Sequence, residues 1–234
     1  MNRYSHLPAL ILAASLLGWH SADAAAQDRM VTIRADYSED WAQHWEDVRL
    51  ASRVNRFTVV DEAGTSVLKA FSENSASALW HEIGIAPGDG DRVSWRWKVE
   101  RPLVNKARER EKRGDDYAAR LFVIFNAEPF SRQARAICYV WSSTEPVGAA
   151  YPNPYFSNVG TVVVQHGNER IGQWIREERE FVQDYREAFG EDPETVTAVA
   201  VMVDTDNTGG SALSWFDSIE IKTRVTDSAP GQAR

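Results

Sequence analysis

The chain has one cysteine, Cys138, in 234 residues. A lone thiol forms no internal disulfide, so packing alone must hold the fold. An excess of positive charge is also missing: 26 Lys and Arg stand against 34 Asp and Glu, for a net charge of −8. Such a chain gains nothing from counterion release along a phosphate backbone, which argues against nucleic-acid partners. The same sign disfavours anionic lipid surfaces. No apolar run reaches the roughly 20 residues that span a bilayer. The templates of common catalysis are lacking too: there is no Gly-x-Ser-x-Gly elbow, no Gly-rich phosphate loop with Lys, and no His-Glu-x-x-His. Beyond the N-terminal stretch the histidines are His44, His81 and His166, whose spacing suits no zinc site.

What is present begins with a readable N-terminus. Arg3 and His6 precede the apolar run Leu7 to Trp19, and small residues follow from Ser21 to Ala26. A basic start, a short apolar stretch and Ala-x-Ala sites make residues 1–26 a secretory signal peptide, with cleavage after Ala24 or Ala26. The expected mature protein is periplasmic or extracellular and has no membrane span. It comprises one domain over 27–225, because no Pro-, Gly- or Ser-rich linker divides the chain. Residues 226–234 are small, polar and aperiodic, as in a flexible tail.

The mature sequence is mainly β. Val93, Trp95, Trp97 and Val99 alternate with Ser94, Arg96 and Lys98, as in a half-buried strand. Phe57–Val60 and Ser66–Phe71 flank a Gly-bearing turn and predict a hairpin. Leu121–Phe125 and Val199–Val203 are continuous apolar runs, as expected of strands covered on both faces. Further strands are predicted over Ala78–Ile83, Ala136–Trp141, Val159–Val164, Trp174–Glu178 and Ser214–Lys222. Helix signals are few. Phe181, Tyr185 and Phe189 recur every four residues and Gly190 follows as a C-terminal cap, while the charged stretch Leu103–Arg113 predicts a short exposed helix or a loop. About ten short strands with one or two short helices describe an antiparallel β-sandwich or jelly roll.

Two polar blocks stand out. In Asp115-Asp116-Tyr117-Ala118-Ala119-Arg120, the arginine shares a strand face with Phe122 and Ile124. A guanidinium there needs a carboxylate or a ligand, so the block is either a structural ion pair or a site for an anion or sugar. Asp204-Thr205-Asp206-Asn207-Thr208-Gly209 resembles the first half of a calcium loop, but Trp215 occupies the twelfth position where an EF-hand needs Glu. A looser Ca²⁺ site on Asp204 and Asp206 and plain Asx-turn chemistry remain the alternatives. Asp217 falls by parity with Trp215, Ile219 and Ile221, and Arg120 is the partner to test for it. Cys138 alternates with Ala136 and Val140, as a buried, inert thiol would. Eight tryptophans lie beyond Trp19, most of them expected in the core, and the Pro-flanked Tyr155 and Phe156 are candidate exposed stacking faces.

Trp95–Val99, Gly114–Arg120, Phe181–Gly190 and Asp204–Gly209 together resemble the bacterial family called domain of unknown function 3047, over roughly Phe57 to Ile221. That resemblance carries no activity or site residues with it. A weaker similarity, through Trp215-Phe216-Asp217-Ser218-Ile219 and the opening hairpin, is to galactose-binding-type carbohydrate-binding jelly rolls. The expected role is non-catalytic binding of a saccharide or envelope glycan through Asp115, Asp116, Arg120, Asp206, Asn207 and Tyr155. The alternatives are a polysaccharide hydrolase or lyase using Asp115, Asp116, Asp204 and Asp206, and a structural envelope protein that binds another protein.

Overall fold

A computed structural model describes residues 28–104 and 107–226. The expected signal peptide with its cleavage sites and residues 227–234 of the expected tail lie outside the described residues. Fourteen strands and one α-helix are described in chain order: β1 Asp28–Ala35, β2 Trp45–Arg49, β3 Arg56–Glu62, β4 Thr65–Glu73, β5 Ala76–Ile85, β6 Arg92–Arg101, β7 Arg120–Phe125, β8 Arg135–Ser142, β9 Ala150–Pro152, β10 Val159–His166, β11 Ile175–Arg179, α1 Phe181–Phe189, β12 Val196–Asp204, β13 Ser211–Phe216 and β14 Ile219–Thr226. They form a jelly-roll sandwich of two sheets. The first runs β1-β14-β6-β13-β4-β3 with β11 also on β6, and the second β2-β5-β12-β7-β8-β10-β9. Pairing is antiparallel throughout except between β8 and β10, which run parallel.

Alternation sets the inner face. Val93, Trp95, Trp97 and Val99 of β6 point into the core, where Trp95 meets Trp97 edge-on at 5.4 Å and Tyr139 of β8 at 5.2 Å. The second sheet is apolar on both faces, which explains the continuous apolar runs of β7 and β12. Leu121, Val123 and Phe125 enter the inner core. Phe122 and Ile124 join an outer cluster with Ala136, Cys138, Ala198, Ala200 and Met202. Small residues dominate that outer face, leaving room above it that loops only partly cover. Cys138 is buried there, and burial pushes its thiol up to about 12, which makes it inert at neutral pH.

The helix starts and stops where the four-residue repeat places it: Tyr185 packs 4.7 Å from Phe125, and Gly190 caps the end at φ +73°. Ala63 and Gly64 both take positive φ between β3 and β4, the geometry of a tight type I′ hairpin turn.

Three expectations are corrected. Ser214–Lys222 is not one strand: β13 ends at Phe216 and β14 begins at Ile219, so parity changes across Asp217-Ser218. Trp215 therefore faces out, where Lys69 and Lys98 lie over its ring at 4.9 and 4.5 Å, while Phe216 enters the core. Asp217 does not pair with Arg120; it accepts from Arg96 Nε at 2.9 Å on the outer face of the first sheet. In the charged stretch the described residues take the loop alternative, leading to a 3-10 turn over Lys112–Gly114; the exposed helix is not formed, and Glu109 within the stretch is fully buried.

Candidate functional site

The two polar blocks meet. Arg120 begins β7 and Asp204 ends β12; the strands are antiparallel neighbours, so these outward-facing ends share one edge of the outer face. Arg120 forks onto Asp204: Nε bonds Oδ1 at 2.9 Å and Nη2 reaches Oδ2. Nη2 also bonds the Asp115 carbonyl at 2.6 Å and lies 3.3 Å from Asp115 Oδ1. Arg120, Asp115 and Asp204 are all buried, and the Tyr117 ring lies 4.3 Å beneath the guanidinium. The Tyr117 amide donates to Asp204 Oδ1 at 2.9 Å, and Asn153 Nδ2 to Asp115 Oδ2 at 2.8 Å.

Asp116 has a different task. Its Oδ1 accepts the Asn207 amide at 3.2 Å and Asn207 Nδ2 at 3.1 Å, and its Oδ2 accepts the Thr208 amide and Thr208 Oγ1, both at 2.6 Å. These four bonds fold the 204–209 turn against the 115–120 block. Asn207 Oδ1 in turn accepts the Tyr155 hydroxyl at 2.5 Å. Asn153 Oδ1 holds the Tyr155 and Phe156 amides at 2.9 and 3.0 Å, which fixes two exposed aromatic rings at the rim.

Above this edge lies a groove of about 670 Å³. Its floor follows β7 from Arg120 through Phe122 to Ile124, a run of about 13 Å at strand rise, widened by Ala136 and Met202. Asp115, Asp204, Asp206, Asn153, Asn207 and Tyr155 line one end; Phe130, Ser131 and Arg132 of the β7–β8 connection line the other. Of the residues expected from sequence, Asp115, Arg120, Asp204, Asp206, Asn207 and Tyr155 therefore share one groove. Asp116 does not line it and acts by holding the turn that does. Asn153 and the Phe130–Arg132 segment were missed, since a loop residue carries no sign in sequence of the strand end it will lie over.

Electrostatically, four carboxylates (Asp115, Asp116, Asp204 and Asp206) surround one guanidinium. Burial pushes the Asp204 carboxyl up to about 8 against the pull of Arg120, with Asp116 and Asp115 pushing the same way. Asp206 is also raised, by partial burial and then by Asp116. Elsewhere, burial raises Glu109, which accepts from the Ser143 amide at 2.7 Å, and Glu177. Groups with raised folded pKa bind more protons folded than unfolded, so their contribution is full below the ordinary carboxylate range and lost as pH rises through the folded values. His81, lowered mainly by burial, works the other way on a single group. The protein is therefore expected to be more stable at pH 5 than at pH 8. Urea midpoints at the two pH values test this, and a higher midpoint at pH 8 contradicts it.

The cluster fits a calcium ion poorly. Oxygens of Asp116, Asp204 and Asp206 approach within 4.8 Å of one another. Ca²⁺ wants six to eight oxygen ligands, yet both oxygens of Asp116 and Oδ1 of Asp204 already accept two donors each. Asp206 and one oxygen of Asp204 leave too few.

A family model described as a protein of unknown function (DUF3047) matches residues 43–220. No curated protein matches the chain in sequence. Among solved structures, the chain is similar to a family 11 carbohydrate-binding module from Clostridium thermocellum in complex with a mixed-linked tetrasaccharide, at 10% identity and TM-score 0.41 over 85% of this chain and 96% of that one. It is similar to the xyloglucanase domain of a type three effector from Sinorhizobium fredii, at 10% identity and TM-score 0.43 over 78% and 93%. A glycoside hydrolase domain from Streptococcus pneumoniae also matches at 9% identity and TM-score 0.37 over 76% of this chain, which spans 21% of that chain.

Proposed function

The chain belongs to the DUF3047 family, and from that premise we propose that it is an exported, non-catalytic binding protein that takes a saccharide into the outer groove of its second sheet. One observation carries the reading. An apolar floor of Phe122, Ile124, Ala136 and Met202 ends in a set of oxygen acceptors, beneath exposed Tyr155 and Phe156. Sugar rings present C–H faces to apolar and aromatic surface and hydroxyl donors to carboxylates and amides, and a groove of this size with few polar anchors suits a small ligand. The acids that line the groove, Asp115, Asp204 and Asp206, sit together at one end. Glycoside hydrolysis instead needs two carboxyls flanking the scissile bond. Export is supported by the Arg3–Ala26 pattern, and N-terminal sequencing of the exported protein should begin at Ala25 or Gln27.

The test is a glycan array followed by calorimetry on cell-wall and storage polysaccharides. Binding is expected, and Phe156→Ala should weaken it by about tenfold or more, since one buried aromatic face contributes about 1.5–3 kcal/mol. Absence of binding to every saccharide removes the proposal. The raised carboxyls of Asp204 and Asp206 favour a hydrolase as the second reading. It would require reducing-end release above background that disappears in Asp206→Asn.

A further inference from the structure

The end of the groove away from Arg120 is shaped by one turn. The Ser131 amide donates to the Glu128 carbonyl at 3.1 Å, with Pro129 and Phe130 between them. Phe130 takes φ +59° and proline fixes a negative φ before it, so this is a type II turn with phenylalanine where glycine is usual. A bulky side chain at that position is strained. In return the Phe130 ring lies edge-on to Phe122 on the groove floor, with centroids 6.1 Å apart. The residues that follow are tied too: Ser131 Oγ accepts the Ala134 amide at 3.3 Å, and the Ala134 carbonyl accepts Asn158 Nδ2 at 2.5 Å. Arg132 stands between these anchors, exposed and lining the groove. Other cations around the groove are engaged: Arg120 with Asp204, Arg110 with Glu145 at 2.7 Å, Arg135 with Glu191, and Lys112 over the Tyr155 ring at 5.2 Å. Among the described residues Arg132 pairs with no carboxylate, Glu128 on its own turn included, and bonds no acceptor. Its guanidinium is a planar fork of donors that matches a carboxylate bidentately. The acids of the other end lie past the Arg120–Ile124 run of about 13 Å, beyond the ~8 Å over which charges act at physiological salt. They turn an anion away from their own end and leave it free at this one.

We propose that Arg132 reads a ligand carboxylate, so that the saccharide in the groove is an acidic one, with a uronic acid at the end over the Phe130–Arg132 turn. The inference rests on the saccharide reading above. Its test is calorimetry of the full chain against trisaccharides of glucose, galactose and mannose, each with one terminal uronic acid, as the methyl ester of that acid, and in the neutral parent form. Propionate serves as a carboxylate without a sugar. The acid form is expected to bind about tenfold or more tightly than its ester and its parent, in line with one charge-assisted hydrogen-bonded pair, and the preference should shrink as salt is raised. Arg132→Gln should cancel the preference and leave affinity for the neutral form unchanged. Arg132 is exposed and unpartnered, so this variant is expected to fold, and unchanged thermal unfolding would check it. Equal binding of acid, ester and parent overturns the carboxylate inference and leaves the saccharide reading standing. A preference for the acid that survives Arg132→Gln overturns the role given to Arg132. Binding of propionate with no trisaccharide bound removes the saccharide reading instead. No binding by any probe overturns both.

Discussion

Replacing Arg120 with methionine is expected to lower the unfolding free energy by about 3–5 kcal/mol, the cost of leaving one partner of a buried ion pair alone. Among the described residues the guanidinium is the one cation that pairs with Asp204 and with Asp115 Oδ1, and these side chains are 3% and 7% exposed. Without it, two buried carboxyls must protonate or draw in water. The double variant Arg120→Met/Asp204→Asn removes both charges, and its loss should fall well short of the sum of the two single losses. Urea denaturation of the wild type, both singles and the double measures that coupling. A loss below 1 kcal/mol for Arg120→Met would place the pair with exposed ion pairs of little worth and remove the electrostatic description of the groove's end.

Asp116→Ala is expected to cost about 2–3 kcal/mol and to abolish ligand binding, although this carboxylate does not line the groove. Four donors of Asn207 and Thr208 end on it, hydrogen bonds to a charged acceptor contribute about 1.5–3 kcal/mol each, and a donor left unpaired costs more than the mean bond returns. The freed turn carries Asp206 and Asn207, and through Asn207 it also holds the Tyr155 hydroxyl. Asp116→Asn keeps one good acceptor oxygen and should lose less of both stability and affinity. Chemical denaturation and calorimetry on the same preparations separate the two effects. Retained affinity in Asp116→Ala would show that the turn needs no clamp.

Much of this end of the molecule was legible in the residues. The alternation of Val93 to Val99 and the unbroken runs of β7 and β12 follow from which faces are buried, because a strand's side-chain period is fixed. The same period put Arg120 beside Phe122 and Ile124 and set Cys138 with Ala136 and Val140. What the period could not supply was pairing. Arg120 could be given a carboxylate partner in principle, but its choice of Asp204 over Asp217 depends on β7 and β12 lying side by side. Asp217 was lost for a second reason: the break at Asp217-Ser218 reverses parity, and nothing in Trp-Phe-Asp-Ser-Ile marks it as other than a continuing strand. Glu109 sits among Arg108, Arg110 and Glu111 and looks like any solvated acid. Its burial comes from the Ser142 hydroxyl and Ser143 amide, far along the chain. The groove itself was invisible because it is lined by small residues from separate parts of the chain, Ala76, Ala134 and Ala136 among them, none of which signals a groove alone.

On the proposed reading, the ligand binds in the groove above β7 and β8. Ala136 lines its floor, and Ala136→Phe fills the space while leaving Arg120, Asp115 and Asp204 untouched. The most direct measurement is a calorimetric titration of the wild type and Ala136→Phe with the tightest saccharide found, alongside thermal unfolding to show that both are folded. Saturable binding to the wild type and none to a folded Ala136→Phe is the expected result. Equal affinity for both proteins would place the ligand elsewhere and contradict it.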